Sequence, residues 1–237
     1  MAAHVVGLDL GKTSDFSALA AIEQFQRPHP DQRGHLGESQ HHYLIGHLQR
    51  WQLGTPYPVV VKDVCGLMAQ PPLPGSVLVV DQTGVGQAVV DMFRVARPQA
   101  WLRPVTITAG NTATEVPEEF GWHVPKKELV STLQVLMQGR RLRVAPLPEG
   151  VVELLKRELE TFRVKITAAA NETFGAMGTG QNDDIVLAVA IALWIAEHTA
   201  LGWKGEIGLP GGKEGRGNCA AAGAPAGVFD DVTESPW

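Results

Sequence analysis

The sequence predicts an α/β fold, a central mixed β-sheet with helices packed on both faces. Three observations predict it. Ser76-Val77-Leu78-Val79-Val80-Asp81 is a continuous apolar run, as in strands covered on both sides. It leads into the turn Thr83-Gly84-Val85-Gly86 and an amphipathic segment at 87–95, a strand–turn–helix unit of the kind that places sites at strand carboxyl ends. Late in the chain, residues 185–194 are apolar without Gly or Pro. They read as a helix buried on every side, too short to span a membrane.

Taken in order, residues 4–11 are a β-rich run ending in an acid and then Gly. Residues 12–16 make a turn, and apolar 17–25 form a second strand, hairpin partner to the first. Residues 26–40, rich in Pro, His, Gln and Gly, read as polar loop, and 41–51 alternate as a third strand. A helix over 58–69 precedes the strand at 76–81 and the helix at 87–95. A strand at 101–108 and helices at 125–138 and 150–162 follow, the last with Val151, Leu154, Leu155 and Leu159 at helical spacing. Residues 163–177 are expected to form a short hairpin. Asn182 or Asp183 is suited to cap the apolar helix. From about residue 202 the composition turns to Gly, Ala and Pro without periodicity. The expected organisation is one domain over 1–200 and a disordered tail over 201–237.

A chain of 237 residues has ample surface to bury in one sizeable domain. Its hydrophobic share of 44% and net charge of -5 fit a folded protein in which any nucleic-acid binding rests on local charge. Cys65 and Cys219 are far apart with no CxxC, which argues against a disulfide scaffold or zinc ribbon. No signal peptide and no run of about 18 apolar residues is present, so a reducing cytoplasm is the expected compartment. His35, His41, His42 and His47 match no metal-ligand spacing and read as solvated. Gly11-Lys12-Thr13 ends as a P-loop does, but Val6 stands where its first glycine belongs; residues 83–86 lack the dinucleotide spacing.

The acidic residues at element ends carry the chemistry. Asp9 ends the first strand, Asp81 ends a central strand, and Asp183-Asp184 open the late apolar helix. Alone, the last pair reads as helix-end carboxylates favoured by the dipole. Three such sites meeting at one point can hold divalent metal. Their order is similar to that of the ribonuclease-H-like nuclease fold. Four stretches, GLDLGKTSDFSALA, VVDQTGVGQAVVDMF, VPKKELVSTLQVLMQGRRLRV and GQNDDIVLAVAIALW, together resemble the nuclease domain of tailed-phage terminase large subunits, over about residues 5–197.

The resemblance implies an endonuclease that cuts double-stranded DNA with little sequence specificity during genome packaging, using two Mg²⁺ or Mn²⁺ ions. It implies that Asp9 bridges both ions, that Asp81 holds one, and that Asp183 or Asp184 holds the other. Adjacent helix positions point about 100° apart, so one of the pair faces the ions; Asp184 is preferred. Asp15 matches an acid of that family that tunes the site or reaches metal through water. Residue types agree, since hard cations take carboxylate oxygen and a metal pair about 3.5–4 Å apart supplies both nucleophile and leaving-group stabilisation. Without metal the carboxylates repel and raise one another's pKa, so a metal-free site is expected to be incomplete.

Lys126, Lys127, Arg140, Arg141 and Arg143 are candidate phosphate contacts, with Lys127 matching a family lysine; the alternative is solvated helix-end charge. The lack of an aromatic platform argues against single-strand readout. Implied partners are double-stranded DNA, an ATPase motor domain or subunit, the small terminase subunit and portal, in the cytoplasm of a bacterial host. A complete large subunit carries its motor ahead of the nuclease. No Walker loop stands here, so an excised domain or a separate nuclease chain is expected. Two other classes remain open. One is a Holliday-junction-resolvase-like nuclease with the same acids; the other, from the strand-Asp-Leu-Gly turn, is an actin- or sugar-kinase-like ATP-binding phosphotransferase.

Overall fold

Period-two alternation in the first strand, β1 (Ala3–Asp9), sets the two faces of the sheet. The computed structural model describes residues 3–11, 15–30, 36–166, 172–176 and 183–200. β1, β2 (Ala18–Pro30) and β3 (Leu36–Arg50) form an antiparallel meander. After α1 (Tyr57–Met68), β4 (Ser76–Asp81) pairs parallel with the other edge of β1. α2 (Gly86–Ala96) returns the chain to β5 (Ala100–Thr108), parallel to β4. β6 (Thr114–Val116), a 3-10 turn at Pro117–Glu119 and β7 (Gly121–Pro125) complete that side.

α3 (Lys126–Gln138) then leads to β8 (Leu142–Val144), parallel to β3. α4 (Glu149–Thr161), the separate hairpin β9 (Phe162–Ile166) and β10 (Glu172–Ala176), and α5 (Asp184–Ala200) follow. The eight-stranded order is β6-β7-β5-β4-β1-β2-β3-β8. The sheet is therefore mixed, and the chain leaves the β1–β4 pair in opposite directions, which makes that pair the switch point where open sheets hold ligands.

Helices cover both faces. Val6, Leu8, Leu78 and Val80 point to one face, packed on Val60, Val64 and Met68 of α1 and Val89, Val90 and Phe93 of α2. Val5, Val77 and Val79 point to the other, packed under Leu129, Leu133 and Leu136 of α3, Leu155 of α4 and the apolar residues of α5 between Ile185 and Ala196. Residues 184–196 of α5 are buried all round, as an apolar helix without a polar face requires.

The predicted strands and helices stand in the predicted order, and two readings are corrected. Residues 26–40 are not simply loop: β2 runs on to Pro30 and β3 begins at Leu36, the ladder extending from Gln24↔Tyr43 to Pro30↔Leu36. Cross-strand hydrogen bonds hold this polar arm, so alternation in hydrophobicity is absent although the backbone is paired. β6, β7 and β8 have no counterpart in the sequence reading; they are three to five residues long, too short to show a hydrophobic period. His41 is held by Gln24 and Gln26, and His42 stacks on Phe25 at 6.0 Å between centroids, so these histidines are packed rather than freely solvated. Residues 201–237, the expected tail, lie outside the described residues, as does His35.

Candidate metal centre

The same alternation that buries Val5 places Gly7 and Asp9 on the α5 face, and in β4 it places Val77, Val79 and Asp81 there. The parallel register Gly7↔Val79 and Leu8↔Val80 then sets Asp9 and Asp81 side by side at the two carboxyl ends. α5 crosses β1 closely enough that a Cβ on Gly7 would lie 2.1 Å from the Ala188 carbonyl oxygen. Its first residue, Asp184, thereby arrives over the end of β1. All three carboxylates are buried, at 6%, 8% and 4% exposure for Asp9, Asp81 and Asp184.

Asp81 is fixed by the turn after it. Thr83 donates both its backbone N–H (2.8 Å) and its hydroxyl (2.6 Å) to Asp81 Oδ1, and Thr83 Oγ1 accepts from the Ile107 N–H at 2.8 Å. Gly86 lets the helix start this near, since a Cβ there would sit 2.2 Å from the Asp81 carbonyl oxygen. After the first strand, the Gly11 N–H donates to Ser17 Oγ and the Tyr57 hydroxyl donates to the Gly11 carbonyl, holding Gly11 against both.

The electrostatics are those of crowded carboxylates. Burial, then the charges of Asp81, Asp184 and Asp183, push the Asp9 carboxyl well above its ordinary range. The Asp9 and Asp81 side chains are also hydrogen-bonded to each other, and burial raises the Asp81 carboxyl while Thr83 and Lys126 draw it back. Burial, Asp183 and Asp15 push Asp184 up to about 7, with Arg50 opposing. Asp184 Oδ2 is buried with no hydrogen-bond partner among the described residues. Asp183 pairs with Lys126, Nζ to Oδ2 at 2.7 Å. Among the described residues no three His, Cys, Asp or Glu side chains already stand in metal-ligand spacing. Asp9 and Asp81 bond each other instead, and the Lys126 ammonium holds Asp183.

One residue of the centre was missed in the sequence. Glu158 of α4 is 4% exposed, and its Oε2 accepts the N–H groups of Ile185 (2.9 Å) and Val186 (3.1 Å). Glu158 therefore caps α5 from a different helix, so neither Asp183 nor the Asp184 Oδ2 is needed for those two N–H groups. Arg50 Nη1 reaches Glu158 Oε1 at 3.4 Å and its guanidinium lies 4.1 Å over the Phe16 ring. Burial, reinforced by Asp184, pushes Glu158 up to about 7. A single Glu on an amphipathic helix gives no sequence signal of this kind. Glu158→Ala is expected to destabilise the metal-free protein by about 1–3 kcal/mol in a thermal melt, and Glu158→Gln, which keeps a carbonyl acceptor, by less than half as much.

A pH prediction follows from Asp184. Its folded pKa of about 7 lies above the unfolded value of about 3.9, so the native protein holds a proton that the unfolded chain releases between those values. The stability this group contributes is full at low pH and is lost as pH rises toward 7. Asn carries no charge at any pH, so in EDTA the melting temperature of Asp184→Asn relative to the native sequence is expected to rise from pH 5 and to level off above about pH 7. A flat difference would contradict the burial of this carboxylate.

The basic candidates divide. Lys126 and Lys127 open α3 beside the acids, Lys127 donating to Asn111 Oδ1 at 2.6 Å. Arg140, Arg141 and Arg143 follow the far end of that helix, about 20 Å away for 13 residues at 1.5 Å each. Arg141 is 13% exposed in its side chain, pairs with Glu197 at 2.5 Å and donates to the His41 carbonyl at 2.7 Å, and the Tyr43 hydroxyl also donates to Glu197. β8 pairs with residues 43–45, at the end of the meander opposite Asp9. The two lysines and the three arginines thus stand at opposite ends of α3, and Arg141 is a strut between α5 and the sheet.

No family model matches the chain, and no curated protein is similar to it at a meaningful level. Solved structures are similar to it. The large terminase nuclease from thermophilic phage G20c is 22% identical with a TM-score of 0.55, over 81% of this chain and 81% of that one. A magnesium-bound form of the same nuclease matches with the same identity and TM-score, over 80% of that chain. The nuclease domain of the large terminase subunit of bacterial virus Sf6, with manganese, is 11% identical with a TM-score of 0.55 over 81% of this chain and 87% of that one. The large terminase of bacteriophage HK97 matches 82% of this chain but only 39% of its own length, at 14% identity and a TM-score of 0.50. The chain has the ribonuclease-H-like fold of large-terminase nuclease domains, the fold its motifs imply.

Proposed function

We propose that this chain is a metal-dependent endonuclease that hydrolyses double-stranded DNA with little sequence specificity during phage genome packaging. The observation that carries the reading is the convergence of Asp9, Asp81 and Asp184 at the carboxyl ends of two adjacent parallel strands and the start of one helix, with a buried Asp184 oxygen left without a partner among the described residues. The donor set fits a hard divalent cation, being carboxylate oxygen without His or Cys. In this reading Asp9, Asp81 and Asp184 hold two Mg²⁺ or Mn²⁺ ions, with Asp183 and Asp15 adjoining. The ions supply an activated water and charge relief at the leaving oxygen. Thr83 holds Asp81 in direction, Glu158 holds the helix that carries Asp184, and Lys126 and Lys127 meet the DNA backbone.

The reading draws support from neighbours named as large terminase nucleases, one with bound magnesium and one with manganese. Its partners are double-stranded DNA and a packaging motor with ATPase, small subunit and portal; the HK97 chain extends well beyond the matched part. No helix among the described residues is long and apolar enough to cross a membrane. The test is supercoiled plasmid incubated with the protein in EDTA, Mg²⁺ or Mn²⁺. Nicked and linear products that need metal are expected. Folded protein that cuts in neither metal, at any DNA end or sequence, counts against the reading.

A further inference from the structure

We propose that Lys126 is a resident cation of the carboxylate cluster, one that holds Asp183 in the metal-free protein and competes with a divalent ion for that carboxylate. The inference rests on the metal-nuclease reading and adds a control element to it. Its first support is direct contact: Lys126 Nζ lies 2.7 Å from Asp183 Oδ2, with the side chains 27% and 21% exposed, so solvent screens the pair only in part. Its second is reach, since the same ammonium lies within electrostatic range of the Asp81 carboxylate as well. One flexible side chain thus acts on two of the clustered acids.

Local structure makes the placement costly, which is informative. Lys126 is the first residue of α3, and the N-cap, Pro125, offers no side-chain cap. A cation at this end meets the positive pole of the helix dipole and four N–H groups without intrahelical partners. A lysine is disfavoured there unless nearby anions hold it. Asp184, one residue from Asp183, shows the converse: its Oδ2 is buried and has no partner among the described residues. The cluster thus presents one carboxylate satisfied by a monovalent side chain beside one open oxygen. A divalent ion that takes both gains Asp183 only by releasing Lys126.

Calorimetric titration of MnCl2 into the protein without DNA, at pH 8, tests this. Lys126→Met is expected to bind Mn²⁺ about five- to tenfold more tightly than the native sequence, because a competitor is gone and the site is more negative. Lys126→Arg, which keeps the charge, is expected to stay within about twofold. Lys156→Met removes a charge from the exposed pair with Glu153 and is expected to change nothing, which separates local competition from net charge. Lys126→Gln serves if the Met variant does not fold. Native protein that binds Mn²⁺ with Lys126→Met no tighter, or weaker, overturns the proposal alone. Native protein that binds no Mn²⁺ overturns the metal-nuclease reading and this proposal with it.

Discussion

Asp81→Asn is expected to lower metal-dependent plasmid cleavage by at least about a hundredfold while leaving the protein folded. The substitution keeps the shape of a side chain that is 8% exposed and keeps an oxygen to accept the two hydrogen bonds from Thr83. What it removes is the negative charge beside Asp9. That charge is among the causes that raise the Asp9 carboxyl, after burial itself. Relieving it makes the metal-free protein at least as stable as the native one at pH 7, with a melting temperature unchanged or a few degrees higher. Activity and stability therefore move in opposite directions, which a merely packed aspartate would not produce. Product formation followed on gels in Mg²⁺ and Mn²⁺, beside melts in EDTA, reads both. Native cutting rates in the variant would remove Asp81 from the metal set.

How much of this was legible in the sequence depends on whether the signal is local. The β1 and β4 runs each end in Asp after a buried alternation, so the placement of Asp9 beside Asp81 is contained in residue order and strand period. The apolar length of α5 marks it as buried, and a buried helix opened by two acids must aim one of them inward. Other features need partners distant in sequence. Glu158 caps α5 across 27 residues, and Arg141 meets Glu197 across 56, so each looks like ordinary solvated charge on its own helix. The β2–β3 arm is hidden for a different reason: its ladder is made by backbone hydrogen bonds between polar residues, and hydrophobic periodicity reports burial, not pairing. Lys126 and Lys127 were grouped with the arginines because they share a charge; the length of α3 separates them.

Gly7→Ala is expected to destabilise the protein by about 3 kcal/mol or more, although it adds a single methyl group in a strand. The added carbon would lie 2.1 Å from the Ala188 carbonyl oxygen and 3.1 Å from the Ala192 Cβ. The first neighbour is helix backbone, which has no rotamer with which to yield, so α5 as a whole must move away from β1. Those two elements also bear Asp184 and Asp9, so the same displacement, on the order of 1 Å, spoils the geometry of the acids and costs cleavage about a hundredfold even in molecules that remain folded. Gly66, inside α1, has nothing within 4 Å of its Cβ position. The same change there gains helix propensity and is expected to stabilise by up to about 1 kcal/mol. Thermal melts of the two variants with cleavage assays on the folded fraction read the contrast. If Gly7→Ala melts and cuts like the native protein, α5 does not pack on β1 at this distance, and the acids are brought together by some other means.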